Sequence, residues 1–125
     1  MLYHGWFATK NRKWLLLGDV EEAAKAYVWE IAAENEIRLL ECETMVDHIH
    51  LLLETTATDL PETMRVLKGG SAYRIFRQFP ELKMDAKTNN FWQRRYGAKQ
   101  VEEGARLSTI QYIRTQKERP EKFGR

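Results

Sequence analysis

The chain has 125 residues, enough for one domain with one core. A charged fraction of 30% and a hydrophobic fraction of 43% are those of an ordinary soluble globular protein, and no apolar run is long enough to span a membrane. The net charge of +2 and pI near 8.7 neither demand nor exclude a polyanionic partner. The N-terminus lacks the charged-then-apolar layout of a signal peptide, and the single cysteine, Cys42, has no internal partner. A reducing cytoplasm is therefore the expected compartment. Cys42 stands in an alternating apolar stretch and reads as a core residue.

Leu2 to Thr9 is a short aromatic-rich run and reads as a strand. Gly18-Asp19 marks a break, and Asp19 with Glu22 three residues on is a capping-box signature. Val20, Ala23, Ala24, Tyr27 and Ile31 then give the stripe of an amphipathic helix ending near Asn35. Val28 and Trp29 fall off that stripe and suggest a second buried face, such as a subunit contact. Ile37–Val46 and His48–Glu54 read as neighbouring strands with a tight turn near Asp47. Asp59 as N-cap, followed by Pro61, starts a helix that runs to about Phe79. Its early stripe (Leu60, Met64, Leu67) and later one (Ala72, Ile75, Phe76, Phe79) are out of phase, so a kink is expected at Gly69-Gly70. Residues 80–90 read as a loop and 91–96 as a strand; 97–103 are ambiguous. A last helix covers Leu107 to Arg119 and stops at Pro120. The order predicts an α+β fold: an antiparallel sheet with helices packed on one face, ferredoxin-like, plus a C-terminal helix.

The segment Asp47-His48-Ile49-His50-Leu51-Leu52-Leu53 places two of the three histidines one residue apart in an apolar run. On a strand both imidazoles share one face, while Ile49, Leu51 and Leu53 share the other. Two imidazoles leave most of a divalent ion's coordination sphere open, which suits a Lewis acid that must also bind a phosphate oxygen. Near the end, Tyr112 and Gln116 are four apart and share one face of the last helix. They lie off the stripe of Leu107, Ile110 and Ile113. A phenol of pKa about 10 needs help to attack at neutral pH, and Gln116 is placed to be a third ligand on the nucleophile's own helix. His4, on the first strand before Gly5-Trp6, can approach the site but reads first as structural.

The chain resembles the single-tyrosine HUH transposases of the smallest bacterial and archaeal insertion sequences. His48-Ile49-His50 matches the His-hydrophobe-His element, and Tyr112 with Gln116 fits the nucleophile helix. Tyr3-His4 with Thr9-Lys10, Leu67-Lys68 with Ser71, and Phe91-Trp92 with Tyr96 resemble other parts of the family pattern, so the likeness covers nearly all of residues 1–125 as one domain. It implies that His48, His50 and Gln116 bind a divalent ion, Mg2+ or Mn2+. It also implies that Tyr112 forms a 5′-phosphotyrosine, freeing a 3′-hydroxyl. The expected partners are single-stranded DNA with hairpins and a second copy of the chain, whose tyrosine helix can complete the histidine site. The chain departs from the family at Gly97-Ala98-Lys99-Gln100, where other members tend to be more apolar.

Residues 65–77 carry Arg65, Lys68, Arg74 and Arg77 with no acid. As a group, Lys10, Arg12, Lys13, Lys68, Arg74, Arg94 and Arg95 suit a DNA surface, with Trp92 and Tyr96 as stacking faces. Taken singly, Trp92 reads as core. A histidine-triad nucleotide hydrolase would need a third alternating histidine, where this chain has Leu52. A non-catalytic nucleic-acid-binding module, or a host-adopted relative acting on repeated palindromes, remains the alternative function.

Overall fold

In the computed structural model, which describes residues 1–86 and 90–116, the run Leu2–Ala8 is strand β1, inside a four-stranded sheet. Its companions are β2 (Arg38–Met45), β3 (His48–Glu54) and β4 (Gly97–Val101). The order is β2-β3-β1-β4 and every neighbouring pair is antiparallel. The described helices are α1 (Gly18–Glu34), α2 (Leu60–Gln78), the short α3 (Glu81–Ala86) and α4 (Arg106–Arg114).

Alternation along the strands separates two faces. Tyr3, Phe7, Cys42, Ile49, Leu51 and Leu53 pack with Ala24, Val28 and Ile31 of α1 and Met64, Leu67 and Ile75 of α2 in the main core. Burial pushes the Cys42 thiol pKa up, so it stays protonated there. The opposite face carries His4, His48 and His50, and at its far end Leu2 and Leu52, which pack with Ile113 of α4. The expected α+β arrangement is present, with α1 and α2 on one face and α4 on the other.

Several local expectations are corrected. α1 begins at Gly18 with Leu17 as N-cap and no side-chain cap, so Asp19 acts through the helix dipole from within the first turn. Asp59 is an N-cap by position, but its side chain forms no cap; instead its N–H donates to Thr56 Oγ1 at 3.0 Å. Val28 is fully buried in the core, which leaves Trp29, 39% exposed, alone on the surface. Residues 91–96 are not a strand: Phe91 and Trp92 are both buried, but the segment has no ladder partner along its length. Only an isolated bridge joins Thr9 to Trp92, and the edge strand follows at Gly97–Val101. A helix, α3, occupies part of the expected loop. Leu107 is exposed, so Ile113 carries the burial of α4. Residues 117–119 of the expected last helix lie outside the described residues.

α2 runs unbroken through Gly69-Gly70. Its buried stripe is Leu60, Met64, Leu67, Ser71, Ile75 and Phe76, and Ser71 supplies the phase that the apolar residues alone seem to lose. Ser71 is buried because its Oγ accepts the Trp92 Nε1–H at 2.9 Å. The two glycines have different duties. A Cβ on Gly70 would run into the Ile31 side chain, so Gly70 sets the closeness of α1 and α2, whereas a Cβ on Gly69 meets nothing within 4 Å. Gly69→Ala should therefore stabilise by roughly 0.5–1 kcal/mol through helix propensity. Gly70→Val should destabilise by roughly 1–3 kcal/mol through overpacking. Urea unfolding of both variants checks the opposite signs.

Candidate active site

The site is built from the turn between β2 and β3. The Thr9 N–H donates to the Asp47 carbonyl at 2.9 Å, which pins the turn to the end of β1, while its hydroxyl donates to the Lys13 carbonyl at 2.7 Å. Just beyond, Asn11 and Arg12 take left-handed backbone angles (φ 59° and 54°), a conformation costly for non-glycine residues. This curl brings Arg12 Nε to 3.2 Å from one Asp47 carboxylate oxygen, while the other lies 2.7 Å from His48 Nδ1. The carboxylate accepts, so His48 carries its proton on Nδ1 and offers the Nε2 lone pair outward.

His48 Nε2 and His50 Nε2 converge to 3.1 Å, and His50 Nδ1 lies 3.0 Å from His4 Nε2. Two nitrogens on adjacent positions of one divalent ion, each at about 2.1 Å, stand about 3 Å apart. The pair fits a shared ion, with a hydrogen-bonding partner behind each ring. Among the described residues no cluster of three or more His, Cys, Asp or Glu side chains is disposed to hold a metal. Gln116, 3% exposed, lies one turn past Tyr112.

Tyr112 stands on α4, which Arg114 ties to Glu41 of β2 at 2.8 Å and Ile113 anchors on Leu2 and Leu52. Its ring meets that of His4 edge-on, with centroids 6.1 Å apart. Tyr112 lines a cleft of about 280 Å³ with His4, Lys99, Val101, Ser108 and Thr109. The histidine pair opens into an adjacent cleft of about 340 Å³ bordered by His4, Trp6, Arg12 and Lys99. His4 and Lys99 border both. The structure thus brings Tyr112 to His4 and His4 to His50. His4, read from the sequence as structural, is a member of the site. Its parity on β1 matches the histidine face, but only the β1–β3 register reveals the contact.

A family model described as "Transposase IS200 like" matches residues 1–116. The chain belongs to the IS200-like transposases. The ISDra2 transposase TnpA of Deinococcus radiodurans is 36% identical over 115 residues, 91% of this chain and 82% of that protein. The transposase of insertion sequence IS200 from Salmonella typhimurium is 34% identical over 118 residues, 93% of this chain and 76% of that one. A crystal structure assigned as a transposase from Deinococcus radiodurans R1 superposes with a TM-score of 0.74 at 37% identity, covering 93% of this chain and 90% of that one. A REP-associated tyrosine transposase bound to a REP hairpin shares the fold, with a TM-score of 0.63 at 13% identity, covering 92% of this chain and 65% of that one.

The basic residues of the transposase are scattered. Arg12 borders the histidine cleft, with Lys10 and Lys13 on the same turn. Lys68 Nζ donates to the carbonyls of Arg94 and Arg95 at 2.6 and 3.1 Å, fastening that segment to α2. It shares a third cleft with Arg65, Arg94 and Tyr96. Arg74 is paired with Glu30 and Glu34 on the helical layer. Trp92 is 4% exposed and packs edge-on against Phe7, so it offers no ring face to a base.

Burial lowers the His50 pKa to about 3, with help from His48 and His4. Burial, then Lys99, lowers that of His4. An unfolded chain protonates His50 near pH 6.5, where the folded one refuses the proton, so its stabilising contribution is intact above pH 6.5 and is lost as pH falls toward 3. Between pH 7 and pH 5 the metal-free transposase should lose about 2 kcal/mol from this group. Urea midpoints measured in chelator should show the loss, and His50→Gln should flatten it.

Proposed function

We propose that this transposase cleaves and rejoins single-stranded DNA at hairpin-marked element ends through Tyr112, with a divalent ion held by His48, His50 and Gln116. The observation that carries the reading is the convergence of the two Nε2 atoms at 3.1 Å, with Tyr112 beside the same histidine group. An ion bound there, Mg2+ or Mn2+, would polarise the scissile phosphate as a Lewis acid. The Tyr112 oxygen attacks phosphorus and loses its proton. The 3′-oxygen departs and takes up a proton, leaving a 5′-phosphotyrosine and a free 3′-hydroxyl. Attack by a 3′-hydroxyl on that linkage reverses the step, so rejoining needs no nucleotide cofactor. Asp47 and His4 hold the two imidazoles in the orientation the ion requires.

Hairpin recognition is supported by the shared fold with a tyrosine transposase solved on a hairpin. We further read the working form as a cytoplasmic homodimer, supported by half-exposed Trp29 and by the short edge strand β4.

The test is to incubate the protein and Mg2+ or Mn2+ with single strands from the flanks of its own gene. A covalent adduct resistant to denaturant is expected. Binding should prefer the hairpin strand and weaken steeply with salt, because phosphate neutralisation releases counterions. Equal affinity for the fully paired duplex would count against the reading. Sedimentation as a monomer across the working range would remove the dimer.

A further inference from the structure

The edge strand β4 borders the histidine cleft through Lys99. β1 pairs with β4 so that Trp6 stands opposite Gly97 and His4 opposite Lys99. A Cβ at position 97 would occupy the space of the Trp6 indole, meeting its Cε2, Nε1 and Cζ2. The indole therefore lies across the bare backbone of Gly97, and no other residue type leaves that room. Trp6 is also the register partner of His50 and shares its face of the sheet.

The ring is 36% exposed, lines the same cleft as His48 and His50, and is braced by the His4 ring edge-on at 5.4 Å. Its neighbours in that cleft are three histidines, Arg12 and Lys99. An apolar protein partner would meet one indole flanked by the charges of Arg12 and Lys99. A nucleotide meets a flat π surface for its base and positive charge for its phosphates.

We propose that Trp6, seated on Gly97, is a stacking platform for the nucleobase next to the phosphate that reacts at the histidine pair, with Lys99 against the DNA backbone. This rests on the transposase reading above and assigns the flanking nucleotide its own seat. Stacking tolerates any base, so the platform would set the register of the strand rather than read its sequence.

The test compares binding in a Tyr112→Phe background, so that no cleavage intervenes. One oligonucleotide spans the hairpin and cleavage site, and a second is identical but abasic at the nucleotide flanking the scissile phosphate, on either side in turn. With Trp6 present, one abasic position should weaken binding by about 5- to 100-fold. With Trp6→Ala, the intact strand should bind as weakly as the abasic one, and the abasic change should add nothing. Trp6→Phe should keep most of the discrimination. Gly97→Val, which removes no DNA-facing group, should behave like Trp6→Ala. A hairpin lacking the flank should bind all of these equally, which reports that they are folded. An undiminished abasic effect in Trp6→Ala, or none with Trp6 present, overturns the platform. Absence of any adduct with Tyr112 intact would instead overturn the transposase reading, and the two failures are separate.

Discussion

Tyr112→Phe should abolish the covalent protein–DNA adduct and lower cleavage by roughly 10⁴-fold or more, as loss of a nucleophile does. Hairpin affinity and metal binding should stay within a few-fold, because only one oxygen is removed and the ring keeps its edge contact with His4. Stability should change by about 1 kcal/mol or less. The exposed tyrosines are poorly placed. Tyr73 is on α2, in the helical layer, and Tyr96 lies in the cleft beside Lys68. Mass spectrometry of the DNA-linked peptide decides the matter. A peptide holding Tyr73 or Tyr96, or normal cleavage by the Phe variant, would overturn the mechanism.

His48→Ala and His50→Ala should each reduce cleavage below detection while hairpin binding largely survives. Both side chains project from the face of β3 opposite the main core, where Ile49, Leu51 and Leu53 hold the strand. Chelator should have the same effect on the native protein, reversed by added Mg2+ or Mn2+. Asp47→Asn should weaken metal affinity by about 10- to 100-fold, since it backs His48 without being a ligand. Titration calorimetry reads that loss independently of cleavage. Nicking that persists in chelator would make the histidines acid–base or structural groups.

The histidine strand was legible because period-two alternation gives each residue of β3 a face, and the Tyr112–Gln116 spacing needs only helical geometry. Residues whose roles depend on distant partners were not legible. Ser71 breaks the apolar stripe of α2 for the sake of Trp92, twenty-one positions away, so the sequence suggests a kink in a helix that has none. Phe91 and Trp92 carry high strand propensity, yet here that propensity reflects burial and not ladder pairing. Gly97, Ala98, Lys99 and Gln100 have little of it, and pair with β1 alone at the sheet's edge. His4 and Lys99 join the site through register, which no single segment encodes.

The burial of Cys42 has a practical consequence. It is the chain's one cysteine, it is 3% exposed, and its thiol is held protonated, so maleimide reagents have neither access nor thiolate. A cysteine introduced at an exposed position, such as Leu107 at the start of α4, would then take a single fluorophore without first stripping the native thiol. Energy transfer from that dye to one on the DNA would report where α4 sits relative to the strand in an otherwise unaltered chain.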